Sequence, residues 1–135
     1  MSQVIIYTNA QGGVSVCIPT GEIPIEAVLT KDCPSGAVIV DQTVLPSQDS
    51  DFFNAWEMQA GNTVTVSIPK AREITKNRLR MERKPLLEAQ DVLFQRALET
   101  GSSTTAIVAE KQRLRDITLL ADPCNTTAEL RALKC

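Results

Sequence analysis

There is no histidine in the 135-residue chain. That excludes His-based nucleophilic triads, imidazole general bases and imidazole-ligated metal sites. Aromatic residues are scarce, at 4%, so a core has to be built mainly from Val, Ile, Leu and Ala. The four cysteines, Cys17, Cys33, Cys124 and Cys135, include no C-x-x-C pair, which leaves a zinc site without its usual spacing. Cys17 reads as a small buried hydrophobe in a strand, the others as loop or terminal residues. No apolar run approaches the length of a membrane span. "MSQVIIYTNAQGG" lacks the basic start and long apolar stretch of a secretory signal. The expectation is a soluble cytosolic product with reduced thiols and no membrane partner.

Net charge is only −2, but its distribution is uneven. Residues 1–69 carry one base, Lys31, against seven acids, a balance of −6. Residues 70–135 carry 13 bases against nine acids, a balance of +4. The change at Pro69-Lys70 predicts two structural parts.

In the first part, "QVIIYT" and "VSVCIP" flank "NAQGG", two β-rich runs about an Asn/Gly turn, and predict a hairpin. Ile25, Val28 and Leu29 have helical spacing, which places a short helix near residues 24–32. "AVIVD" at 37–41 reads as a buried strand. "PSQDSDFF" opens with turn chemistry and predicts a single helical turn around 49–53. "AWEMQ-AGN-TVTVSI" predicts a second hairpin, with Val64, Val66 and Ile68 on one face and Thr63, Thr65 and Ser67 on the other. Together these segments make a small antiparallel β-rich module of about five strands at 1–69, so the fold class is α+β.

After Pro69 the hydrophobic period lengthens to about 3.6. Ala71, Ile74, Met81, Ala89, Val92, Leu93 and Leu98 can line one stripe of a long helix that stops at Gly101. "TAIVAEKQRLRDITLL" predicts a returning helix with Ile107, Val108, Leu114 and Ile117 inward. Thr126 and Glu129 form a capping box for a short last helix. Pro85 interrupts the long element: it cannot donate to the Met81 carbonyl, and a helix through it is disfavoured by about 3 kcal/mol. The expectation is a kink or break at Lys84-Pro85, with Pro85 opening a new helix. Residues 70–84 are then a basic helical connector, and 85–135 an antiparallel helical hairpin with a short terminal helix.

"KAREITKNRLRMERK" at 70–84 concentrates seven bases against two glutamates. Phosphate contact needs only clustered Lys and Arg, yet no aromatic stacking residue lies nearby and the whole chain is acidic, which argues against nucleic acid. The run suits either a solvated helix face or a protein-docking surface. An acidic surface on another copy is a fitting partner, which favours a homo-oligomer. The acid pairs Asp49/Asp51 and Glu22/Glu26 could serve acid–base work or a loose cation site, but nothing else converges on them. Neither a catalytic centre nor a cofactor site is expected. Phe52, Phe53 and Trp56 serve as core or as an interface anchor.

Across the helical half, Arg83, Pro85-Leu86-Leu87, Ala89, Asp91, Phe94, Arg96-Ala97-Leu98-Glu99 and Gly101 form a recurring pattern with Lys111-Gln112, Leu114-Arg115-Asp116-Ile117-Thr118 and Thr127-x-Glu129-Leu130. It resembles the C-terminal helical hairpin of small tailed-bacteriophage proteins encoded among tail and tail-fibre genes, described as tail proteins or tail assembly chaperones. "GGVSVCIPTGEIPIEAV", "KDCPSGAVIVD" and "FFNAWE" look like the front half of such proteins. The resemblance implies a non-enzymatic part in tail architecture, with other tail or tail-fibre proteins as partners. It implies location in the host cytoplasm during assembly and in the virion tail if the protein is structural. The alternative is an assembly chaperone absent from the finished particle. Arg78, Arg80, Arg83, Leu86, Val92, Phe94, Arg96, Leu114 and Arg115 are then the expected partner-binding residues, with Pro85 setting the angle of the arm.

Overall fold

The structure, a computed structural model, describes residues 2–135. The fold is α+β, and the chain divides into two compact units, Met1–Ala71 and Arg72–Cys135.

In the first unit, β1 (Gln3–Thr8) is the middle strand of an antiparallel sheet ordered β2-β1-β3, with β2 at Val14–Cys17 and β3 at Val38–Asp41. β1 is paired at both edges and meets the Trp56 and Val64 core on one face and a helix on the other, which is why its centre is the unbroken apolar run Val4-Ile5-Ile6, all buried. Val4 and Ile6 face one way, into a core with Val14, Val40, Trp56 and Val64. Ile5 faces the other way, and its register partners Cys17 on β2 and Ile39 on β3 share that side. There the sheet meets α1 (Ile25–Asp32), whose Val28 is buried.

The turn between β1 and β2 is closed by Asn9, whose Oδ1 accepts from the N–H groups of Gln11 and Gly13, both at 3.0 Å. Gly12 sits there at φ +81°, a region costly for any residue with a Cβ. The second hairpin, β4 (Trp56–Gln59) with β5 (Thr63–Val66), is a separate two-stranded sheet. Its alternation holds: Val64 is buried, while Thr63 and Thr65 are exposed. The stretch before it is longer than one turn. Residues Ser47–Ala55 form 3₁₀ turns interrupted at Asp49 and Phe52, and the Trp56 indole N–H donates to the Asp49 carbonyl at 3.1 Å. Phe52 and Trp56 are core residues, while Phe53 lies at the surface, its ring tilted against Trp56.

α2 runs from Ile68 to Thr100 as one helix with Pro85 inside it. The expected break, with Pro85 opening a new helix, is therefore corrected. Both Met81 and Pro85 are exposed, so the carbonyl that loses its donor lies on the water side, and strong helix formers on either side carry the helix through. α2 ends in a Schellman arrangement: Ser102 N–H donates to the Ala97 carbonyl, Gly101 N–H to that of Leu98, and Gly101 has φ +69°.

α3 (Thr105–Asp116) follows, tightens into 3₁₀ turns at Ile117–Ala121, and leads to α4 (Thr127–Ala132). The pairings of Asp91 with Lys111 and of Arg83 with Arg115 show that α3 returns antiparallel to α2. The Thr126 hydroxyl accepts from Glu129 N–H at 3.1 Å, the cap expected for α4.

Replacing Pro85 by Ala is expected to raise the unfolding free energy by about 1–3 kcal/mol, because it restores a donor to Met81 without removing a buried contact. Urea unfolding followed by circular dichroism at 222 nm reads this directly. A lower midpoint would mean that the ring stabilises the surrounding helix.

Candidate partner-binding face

α2 has two working sides. From Arg72 onward, Arg72, Thr75, Leu79, Arg83, Leu87, Gln90, Phe94 and Ala97 recur at intervals of three and four, and all are buried or half-buried. This inner stripe receives α3, the 3₁₀ turns and α4. It is only partly apolar, and its cations meet main-chain oxygens. Arg83 Nη1 donates to the carbonyls of Arg115 at 2.8 Å and Leu114 at 3.4 Å, where α3 ends. Arg78 Nη2 donates to those of Leu133 at 2.8 Å and Leu130 at 3.2 Å, where α4 ends, while its Nη1 pairs with Glu82 at 2.8 Å. Arg72 reaches the Cys124 carbonyl and Asn125 Oδ1, both at 3.0 Å. Lys76 pairs with Asp122 at 2.6 Å. Helix C-termini leave carbonyls without intrahelical donors and carry partial negative charge, so cations there are favourable twice over.

The opposite side carries a second set of apolar side chains, exposed among the described residues. Met81, Pro85, Ala89 and Val92 follow one another at spacings of four, four and three, all exposed, with Met81 at 77% and Val92 at 50%. Leu86 and Leu93 extend the stripe along one flank. Exposed Glu88 and Arg96 interrupt the same face, one helical turn from Pro85 and Val92, and exposed Lys84 and Glu99 flank it. Covering one such half-exposed side chain is worth on the order of 1 kcal/mol before ordering costs. A surface of this kind takes up a second apolar helix, with the neighbouring charges setting register.

The residues expected to bind a partner divide accordingly. Arg80, Pro85, Leu86, Val92, Arg96 and Arg115 are exposed. Arg80 pairs locally, with Asn77 Oδ1 at 2.7 Å. Phe94 is half-buried, with the Lys111 ammonium 5.1 Å from its ring centre. Leu114 is only 1% exposed, so it is a core residue and not a contact surface. Arg78 and Arg83 are half-buried and donate to carbonyls within the unit, so each already has a structural role. Met81 and Leu93, expected to pack inward with Val92 and Leu98, lie outside.

Arg72, Lys76 and Lys111 were not singled out as structural, although Arg72, Lys76, Leu79 and Arg83 share one four-three-four spacing that marks a common face. Among the described residues, no group of three or more Cys, Asp or Glu side chains is placed to hold a metal, and no helix is long and apolar enough to cross a membrane. No protein-family model, curated protein or solved structure matches the chain.

Arg83→Ala is expected to lower stability by about 1.5–3 kcal/mol, since two carbonyls lose a charged donor. Arg80→Ala is expected to change it by no more than about 0.5 kcal/mol. Chemical denaturation of the two variants side by side separates them, and equal effects would remove the distinction between inner and outer arginines.

Proposed function

We propose that the protein is a non-enzymatic component of a bacteriophage tail, a structural or attachment part that acts through protein–protein contacts made by the outer stripe of α2. The observation that carries this reading is the second apolar stripe. A helix already packed on its inner face has no folding reason to expose Met81, Val92 and Leu93 together, whereas a helix that receives a partner does. The resemblance of the helical half to tail and tail-fibre-associated proteins supplies the biological setting. Pro85 lies within the stripe, where its missing N–H is no loss to a contact made through side chains.

The same exposed stripe also suits the second reading, a tail or tail-fibre assembly chaperone. Such a protein covers an apolar surface on an unfinished subunit and leaves when the final partner takes its place. The two readings use one surface and differ in the lifetime of the contact.

Peptide mass spectrometry of gradient-purified particles, quantified against the major capsid protein, tests this function. A virion component is expected at a fixed stoichiometry in particles. Absence from particles with abundance in the infected lysate would select the chaperone reading, and particles that assemble normally without the gene would overturn both. At residue level, Met81→Asp with Val92→Asp is expected to cut partner co-purification at least about tenfold, the equivalent of 1.4 kcal/mol. The far-ultraviolet dichroism should remain that of the parent. Undiminished co-purification would show that the stripe is not the contact.

A further inference from the structure

Two cysteines distant in sequence meet in the first unit. Cys17 is the last residue of β2, and Cys33 is the residue on which α1 stops. Because Cys17 stands opposite Ile5, its side chain lies on the sheet face that α1 covers. It lines a cleft there with Val28, Lys31 and Asp32, in the last turn of α1 directly before Cys33. Cys17 is the side chain that acts most strongly on the Cys33 thiol, and both are half-buried. A disulfide needs the two sulfurs about 2.05 Å apart, which neighbouring side chains at a strand end and a helix end reach by rotating about χ1.

The other two cysteines of the chain are held differently. The Cys124 thiol donates to the Leu120 carbonyl at 3.3 Å, and that of Cys135 to the Leu79 carbonyl at 3.5 Å.

We infer that Cys17 and Cys33 form a paired-thiol modification site, which closes to an intramolecular disulfide by exchange with a low-molecular-weight disulfide such as oxidised glutathione. One cysteine thiolate attacks a sulfur of the small disulfide, forming a mixed disulfide and releasing one small thiolate. The second cysteine thiolate then attacks the protein sulfur of that mixed disulfide and releases the other. Two cysteines are oxidised, one small disulfide is reduced to two thiols, and the two protons lost from the protein end on those thiols. The second step is intramolecular between neighbouring cysteines, so the mixed disulfide is short-lived. Partial burial, the neighbouring Cys17 sulfur and the Asp32 carboxylate all hold the Cys33 thiol above the ordinary range for cysteine. Closure therefore speeds up as pH rises into the alkaline range. This site is independent of the stripe on α2 and of the function proposed for it.

The test treats the full-length protein, without denaturant, with oxidised glutathione. The expected result is loss of two of its four thiols and a mass lower by about two hydrogens, as disulfide formation requires. Trypsin cuts after Lys31 and Lys70, the first two bases in the chain. The new disulfide should therefore join the peptides covering residues 1–31 and 32–70. A Cys124→Ser/Cys135→Ser variant is expected to close at the parent rate. Cys17→Ser and Cys33→Ser, checked for folding by dichroism, are each expected to accumulate a stable glutathione adduct on the remaining partner. Two separate adducts on the unmodified chain, a disulfide linking other cysteines, or no reaction at Cys17 and Cys33 would each overturn the proposal.

Discussion

The second unit depends on cations meeting carbonyl oxygens. α3 has 12 residues and α4 has six, lengths at which a helix has little stability of its own in water. Each ends against α2, where a guanidinium takes the carbonyls its last turn leaves over: Arg83 for α3 and Arg78 for α4. Arg72 does the same for the turn between them. A chain with few aromatics has few large side chains with which to pin short helices by burial alone. Directional bonds from long side chains do part of that work, and the arginine stems cover apolar surface on the way. The basic run is thus a scaffold for the segment that follows it.

This arrangement explains why α2 can be apolar on two sides. Because polar groups carry much of the inner contact, Leu79, Leu87 and Ala97 complete it with modest apolar area. The remaining large side chains, Met81, Leu86, Val92 and Leu93, lie on the outer side and its flank. A helix stabilised from one side and bare on the other is a rigid presenter, and rigidity lowers the ordering cost of association.

Much of the first unit was legible in the residues. Alternation, Asn/Gly turns and β-branched runs located all five strands, because those signals are local and each acts within a few residues. The capping box at Thr126 and the stop at Gly101 were legible for the same reason. Strand order was not, since nothing within a strand states its neighbour. On α2 the inward stripe was misread, because Met81 and Val92 look like core residues until it is known which side α3 and α4 occupy. Pro85 was overread: its local penalty is real, but the helical sequence from Ile68 to Lys84 before it outweighs one missing hydrogen bond. Arg78 and Arg83 were legible as cations and illegible as caps, since their acceptors lie 31 to 55 residues away in the chain.

Those separations also set an order of events during synthesis. Arg78 closes on the Leu133 carbonyl, 55 residues further along the chain. The first unit, whose strand pairings lie within Gln3–Val66, has its full complement of partners well before that residue leaves the ribosome. Until α3 emerges, α2 is a nascent amphipathic segment with both stripes bare. Arg83 is met when α3 arrives and Arg78 only when α4 does, so a ribosome paused between the two would display a half-covered helix on a chain whose strands are already paired.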